Sequence, residues 1–315
     1  MVLQIEHLTK VYRRKVRAND GVSLDVAAGE VVGLLGHNGA GKTTLLNQVI
    51  GLSRPTSGSI AIDGTDVVTN PAHARRLCSM QPQSHAPLEG VTPRQVIEIV
   101  ARLRGASRQR ARQRTAELIA ALQLEPWART VGERLSGGIR RLTAFCLAAA
   151  EPGRVVMLDE PTNDVDPVRR RLLWQQVRAL ADAGSAVLLV THGVAEAERV
   201  VDRLVILHHG RIVAEGTPAA LRGSHDDQLR LELQAVSEEA AAALRPPSGT
   251  PAVTGRRVLV TIDAHEAAAA IDWAGRERTA GTVEEFAVNP ASLEDVYIGL
   301  LGDEKGDQKE VDHVA

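Results

Sequence analysis

Gly36-His37-Asn38-Gly39-Ala40-Gly41-Lys42-Thr43 stands between an apolar run, Val31-Val32-Gly33-Leu34-Leu35, and a helical one, Thr44-Leu45-Leu46-Asn47-Gln48-Val49-Ile50. The spacing is GxxxxGKT in a strand-loop-helix setting, the context that makes a glycine-rich string a phosphate-binding loop. Glycines let successive backbone N–H groups turn inward, and the following helix offers its positive end to a polyphosphate. On this reading Gly36, Asn38, Gly39, Ala40, Gly41 and Thr44 line the phosphates. Lys42 reaches the β- and γ-phosphates, and Thr43 places its hydroxyl on Mg²⁺. The chain is therefore expected to bind a nucleoside triphosphate.

At 315 residues the sequence exceeds one compact domain. A nucleotide-binding domain over 1–224, an accessory domain over 225–302 and a tail over 303–315 are expected, the charged, apolar-poor tail being disordered. With 37 basic and 39 acidic residues the charge is nearly balanced, which gives no push toward nucleic acid. Cys78 and Cys146 sit in apolar contexts without CxxC spacing, so buried, reduced thiols are expected rather than a disulfide framework or a zinc site. Met1-Val2-Leu3-Gln4-Ile5-Glu6 alternates like a strand instead of resembling a signal peptide, and no window supplies the ~18 apolar residues of a spanning helix. A cytoplasmic chain that meets the membrane through a partner is expected.

From about residue 2 to 222, short apolar runs alternate with longer amphipathic ones, which predicts an α/β fold with a largely parallel sheet. Strands are expected at Val31–Leu35, Leu77–Gln81, Val155–Leu158, Ala186–Val190 and Leu204–Leu207, the last followed by a hairpin through His209-Gly210. Helices are expected at 43–50, 94–104, 108–123, 138–150, 168–182 and 194–200. Beyond Gly223-Ser224 the pattern changes: Leu229, Leu231 and Leu233 alternate with polar residues, Ser237–Leu244 reads helical, Arg257–Asp263 alternates again, Ala264–Arg278 is helical and Thr282–Val288 is a further strand. This predicts a small α+β domain of split-βαβ type.

Val155-Val156-Met157-Leu158-Asp159-Glu160 is an apolar strand ending in two carboxylates, where strand C-termini present ligand groups. Asp159 is suited to hold Mg²⁺, and Glu160 to polarise a water toward the γ-phosphorus. Leu135-Ser136-Gly137-Gly138 opens the helical run Arg140–Ala150 and makes a second helix N-terminus that offers an anion site; taken alone it is equally an N-cap with a permissive turn.

Together these motifs resemble the ATP-binding subunit of an ABC transporter, over about residues 3 to 220. Tyr12, in Leu8-Thr9-Lys10-Val11-Tyr12, matches the aromatic residue that stacks on adenine. Gln83, in Met80-Gln81-Pro82-Gln83, matches the glutamine that touches Mg²⁺ and the attacking water and senses the membrane partner. Leu135 to Gly138 is the signature motif, Asp166 in Asn163-Asp164-Val165-Asp166 the D-loop aspartate, and His192 in Leu189-Val190-Thr191-His192 the switch histidine. Outside the resemblance Tyr12 reads as a half-buried strand aromatic, Gln83 as a turn residue, Asp166 as a helix N-cap before Pro167, and His192 as a strand-end histidine. The resemblance implies ATP and Mg²⁺ as ligands, Glu160, His192 and Gln83 as catalytic residues, and Thr43, Gln83 and Asp159 at the metal. It also implies a head-to-tail homodimer in which Ser136, Gly137 and Gly138 of one copy close on the γ-phosphate held by Lys42 of the other. Leu142 stands where many relatives carry a basic residue, and His37 is given no catalytic role.

In the family, the helical segment at about 84–135 docks a multi-spanning permease, which places that contact near Gln83–Arg94. Its basic runs, Arg102-Leu103-Arg104 and Arg108–Arg114, read as a solvated helix face with Ser107 as cap. Pro290-Ala291-Ser292-Leu293-Glu294-Asp295-Val296-Tyr297 resembles the segment that closes subunits of daunorubicin/multidrug-resistance exporters. The resemblance thus implies export of a drug or other hydrophobic compound. A polysaccharide or lipid exporter and a soluble, non-transport ATPase are the alternatives. A coiled-coil insertion or second phosphate-binding loop, expected of the soluble class, is not found in the sequence. His208-His209 precedes a glycine turn and reads as a solvated hairpin unless further ligands join it.

Overall fold

The computed structural model describes residues 1–12, 16–84, 88–191, 198–222 and 228–290. The chain divides into two compact units, Met1–Thr217 and Pro218–Ala315.

The first unit opens with an antiparallel sheet of β1 (Leu3–Val11), β2 (Arg17–Val26), β4 (Ser57–Ile62) and β5 (Thr65–Asp66), in the order β2-β1-β4-β5. Its neighbour contains β3 (Val31–Leu35), β6 (Cys78–Gln81), β7 (Val155–Asp159), β8 (Ala186–Val190), β9 (Arg203–His208) and β10 (Arg211–Gly216), in the order β10-β9-β3-β8-β7-β6. All pairings in this second sheet are parallel except β9 with the edge strand β10. β3, β7 and β8 are buried at every position, as continuous Val/Leu runs covered on both faces must be. α1 (Lys42–Val49) follows β3, and its Leu45, Leu46 and Val49 join Leu3, Ile5, Ile60 and Ile62 of the antiparallel sheet and Val32, Leu34 and Leu188 of the parallel one in one core. The phosphate-binding segment is thereby anchored at both of its ends.

α2 (Pro71–Leu77) leads into β6; α3 (Pro93–Leu103), α4 (Arg108–Ala121) and α5 (Gly137–Ala149) form the helical part, and α6 (Pro167–Asp182) lies between β7 and β8. Side-chain caps fix where these helices start. Thr92 and Gln95 make a reciprocal capping box on α3, Ser107 caps α4, Ser136 caps α5 and Asp166 caps α6. The basic runs are not wholly a solvated face. Arg104 donates to the carbonyls of Glu151 (2.6 Å) and Cys78 (2.9 Å), and Arg114 to that of Ala149 (3.3 Å), because main-chain acceptors at the ends of α5 and β6 lie within reach of their long stems.

The second unit contains α7 (Pro218–Arg222), β11 (Gln228–Ala235), α8 (Glu238–Ala243), β12 (Pro251–Thr254), β13 (Arg257–Asp263), α9 (Ala267–Thr279) and β14 (Val283–Pro290). From β11 onward this is a βαββαβ chain on an antiparallel sheet, order β12-β13-β11-β14. Leu231, Leu233, Val258, Val260 and Ile262 line one face, packed with Ala270, Trp273 and Ala274 of α9. β12 was not expected from the sequence. Its four residues follow a Pro/Ser/Gly break and only one shows partial burial, so apolar alternation gave no signal. The expected helix at 194–200, the 303–315 tail and all but the first residue of the Pro290–Tyr297 segment lie wholly or mostly outside the described residues.

Candidate functional site

The loop Gly36–Gly41 leaves β3 and enters α1 through Gly41, whose φ of +105° lies in the left-handed region. A Cβ here would run into the Ala18 carbonyl oxygen, so β2 and the loop can approach this closely only with glycine. Asn19, fully buried on β2, holds the same point. Its Nδ2 donates to the Gly41 carbonyl (3.3 Å), and its Oδ1 accepts from Gln48 Nε2 (2.7 Å) on α1.

Lys42 is 7% exposed, and its ammonium donates to the carbonyls of Gly36 (2.6 Å) and His37 (3.0 Å). Burial pushes its pKa below the ordinary lysine value, against the pull of the Glu160 and Asp159 carboxylates. Thr43 Oγ1 donates to Asp159 Oδ2 at 3.2 Å, which joins the start of α1 to the end of β7. Asp159 and Glu160 are each 2% exposed. Glu160 adopts φ +51° and its N–H donates to the Val190 carbonyl (2.9 Å), so its direction is set by a left-handed turn costing about 1–3 kcal/mol.

These groups line one cleft of about 330 Å³ that gathers Asn38, Gly39, Gly41, Lys42, Thr43, Thr44, Gln83, Asp159 and Glu160, with Ala18 as a further wall. Paired oxygen ligands, a lysine and a helix N-terminus suit a magnesium-bound triphosphate. Gly36 supplies the carbonyl that holds Lys42. Ala40 is fully buried, and its carbonyl accepts from Gly210 N–H at 3.0 Å.

Of the remaining predicted site residues, the described ones do not line this cleft. Tyr12 is 45% exposed with Lys10 Nζ 5.1 Å from its ring centroid. Ser136 is exposed, its Oγ accepting from Ile139 N–H (3.4 Å). A Cβ on Gly138 would collide with the Asp164 carbonyl, so the start of α5 packs backbone to backbone on the segment after β7. Gly137 faces Asp164 as well. Asp166 accepts from Arg169 N–H (3.0 Å) and pairs with the Arg169 guanidinium (2.9 Å); slight burial works upward on its carboxyl, but these hydrogen bonds hold it below the ordinary value. His192 lies outside the described residues.

Two positioning contacts escaped the sequence reading. One is the Asn19–Gln48 pair. The other is Arg141 of α5, 4% exposed, whose guanidinium donates to the Pro82 carbonyl (3.1 Å) while its own carbonyl accepts from Gln81 Nε2 (3.3 Å). The helix that follows Ser136 is thereby tied to the strand end that delivers Gln83. Leu142, the departure from the usual basic residue, is fully buried in the core. Cys78 and Cys146 are free and buried, and burial pushes both thiols up to about 12.

Residues 19–163 match the ABC transporter family model. The chain is 35% identical over 311 residues to the daunorubicin/doxorubicin resistance ATP-binding protein of Streptomyces peucetius, covering 95% of this chain and 92% of that one. It is 34% identical to a Nod factor export ATP-binding protein of Burkholderia orbicola, covering 97% and 98%. Among solved structures, an ATP-binding subunit of an ABC transporter aligns with a TM-score of 0.66 at 29% identity, over 71% of this chain and 93% of that one. A dimeric ATP-binding cassette in a post-hydrolysis state with ADP and Pi aligns at 0.62 and 25% identity, over 68% and 98%.

Proposed function

The chain belongs to the family of ATP-binding subunits of ABC transporters, and from that premise we propose that it hydrolyses ATP to ADP and phosphate to drive export of a hydrophobic compound through a separate permease. The observation that carries this reading is the single cleft in which Lys42, Thr43, Gln83, Asp159 and Glu160 converge. Backbone N–H groups of Gly39 to Thr44 and the α1 N-terminus bind the phosphates. Lys42 exchanges its two carbonyl partners for β- and γ-phosphate oxygens, a favourable exchange because burial has already removed much of its hydration. Thr43 and Asp159, already 3.2 Å apart, would hold Mg²⁺, which would neutralise phosphate charge. Glu160 orients the attacking water and accepts its proton, with Gln83 alongside.

Ser136, Gly137, Gly138 and Asp166 lie off their own chain's cleft, which supports a site completed by a second copy. Two chains face head to tail, and each offers the α5 N-terminus to the other's γ-phosphate. Tyr12 stacks on adenine, and His192 acts at the γ-phosphate as the switch residue. No helix among the described residues is long and apolar enough to cross a membrane. On this reading the permease supplies the path and the chain associates with the inner membrane face through it, as its similarity to ATP-binding subunits supports. The similarity to a daunorubicin/doxorubicin resistance protein supports a drug-like cargo. A second reading, export of a compound of the Nod factor kind, rests on nearly equal identity to a Nod factor export ATP-binding protein. Glu160→Gln tests the chemistry: turnover falls by about 10²–10⁴-fold while ATP affinity is kept. Undiminished turnover would remove Glu160 from the reaction.

A further inference from the structure

Three histidines, His37 remote in sequence from the adjacent pair His208-His209, converge beside the phosphate-binding loop. His37 belongs to that loop, His208 ends β9, and His209 begins the turn to β10. Along an unbroken strand, side chains at 208 and 209 would face opposite ways. Here His209 and Gly210 take φ +45° and +81°, the two positive values of a type I′ hairpin, and both imidazoles come to the same place. Ring centroids are 4.2 Å apart for His208–His209, 5.0 Å for His37–His208 and 5.1 Å for His37–His209. One ring nitrogen from each lies within 4.8 Å of the other two, the one such cluster among the described residues.

His37 shows how a cation would be held. Its Nδ1 lies 2.8 Å from the Asn38 carbonyl, which can only accept, so Nδ1 carries the proton and Nε2 presents a lone pair. That Nε2 is buried and has no hydrogen-bond partner among the described residues. A carbonyl on one imidazole nitrogen with the other left for a cation is the arrangement that orients metal-bound histidines. We propose that His37, His208 and His209 form a three-imidazole site for a borderline divalent cation of the Zn²⁺ class, separate from the oxygen-lined Mg²⁺ position. Imidazole nitrogens suit such ions and not Mg²⁺. With zinc–nitrogen bonds of about 2.0–2.1 Å a tetrahedral set needs nitrogens about 3.4 Å apart. The contraction needed is at most about 1.4 Å for any pair, which rotation of the imidazoles would supply, His209 being exposed, with water in the fourth position.

The site would act as a clip. The hairpin already touches the loop through Gly210 N–H to the Ala40 carbonyl (3.0 Å) and through Gly36, where a Cβ would strike the Leu207 carbonyl. A cation would add a covalent-strength link to the residue whose carbonyl holds Lys42.

The test uses full-length, tag-free protein stripped with EDTA and titrated with ZnCl₂ without nucleotide, by calorimetry and, with CoCl₂, by visible absorption. One cation per chain, micromolar affinity and the intense visible bands of four-coordinate cobalt are expected. His209→Asn, which keeps the left-handed turn, and His208→Gln each weaken binding at least tenfold. A zinc-induced rise in the wild-type melting temperature is lost in His209→Asn. Absence of saturable binding in the wild type, or undiminished binding in both variants, overturns the proposal. ATP hydrolysis is read separately and does not enter this outcome.

Discussion

Asn19→Ala probes how the loop is kept in shape before nucleotide arrives. Asn19 is fully buried, and the substitution strips the Gly41 carbonyl of one donor and Gln48 Nε2 of one of its two acceptors, the other being the Thr44 carbonyl. The Gly41 carbonyl keeps the Leu45 N–H (2.9 Å) just as Gln48 keeps Thr44, so neither group is orphaned and the loss is the net worth of two buried hydrogen bonds, about 1–3 kcal/mol. Gly41 is also the residue whose left-handed φ starts α1, so the loop loses the anchor that fixes where its N–H groups point. ATP affinity should fall by about tenfold, or 1.4 kcal/mol. Urea unfolding gives the first quantity and equilibrium titration with a fluorescent ATP analogue the second. A double-mutant cycle with Gln48→Ala should return a coupling of about 0.5–3 kcal/mol, since the two side chains share one hydrogen bond. An unchanged unfolding midpoint together with wild-type affinity would refute the reasoning.

Arg141→Met removes the donor to the Pro82 carbonyl and should cost about 1–3 kcal/mol in urea unfolding, while slowing ATP turnover more than it weakens ATP binding. Equal effects on binding and turnover would show that the contact does not act through Gln83. Gly138→Ala places a Cβ against the Asp164 carbonyl, and turnover should fall by about 10–100-fold through misplacement of the segment, with ATP affinity little changed; wild-type turnover in a coupled assay would count against this. Because Cys78 and Cys146 are buried with thiols raised to about 12, the thiolate fraction at pH 8 is about one in ten thousand. Neither should react with a disulfide reagent until urea unfolds the chain, and rapid labelling of native protein would contradict their placement. Asp63 is held below the ordinary carboxylate value by the Arg154 guanidinium, so its contribution to stability is full above the unfolded carboxylate pKa of about 3.9 and is lost as pH falls through the lower folded value. Asp63→Asn should therefore flatten the acid limb of the stability–pH curve, and an unchanged limb would disprove the link.

The parts of the site that a short window contains could be read from the sequence. Gly36–Thr43 and Asp159-Glu160 announce themselves because one strand, one turn and one helix start determine them, and Asn38, Gly39, Gly41, Lys42 and Thr43 line one cleft with the two carboxylates. Of the second unit, β11, β13 and the strand that closes it were legible from Leu229, Leu231 and Leu233, from Arg257–Asp263 and from Thr282–Val288, since alternation with period two is local, whereas β12 was not. What could not be read depends on pairing at a distance. Asn19 looks like a polar residue in a turn-rich stretch, and only the approach of β2 to α1 makes it a buried clamp. Arg141 looks like one more surface arginine after the signature motif until β6 is placed beside α5. Of the antiparallel sheet only the start of β1 was legible, in the alternation of Met1–Glu6; register shifts break the pattern from Ile5 to Val11. His208-His209 read as a solvated hairpin because its third member, His37, is 171 residues away from His208 in sequence and only 5.0 Å away in space.

The central claim is that one chain's cleft is finished by the α5 N-terminus of a second chain. Glu160→Gln protein with millimolar ATP and Mg²⁺, measured by light scattering behind size exclusion, tests it most directly. The account predicts a doubling of mass with two ATP per dimer, reversal on ATP removal, and loss of the dimer when Ser136→Glu is added to the same chain. A protein that stays monomeric while saturated with ATP, or a dimer indifferent to Ser136→Glu, would contradict it.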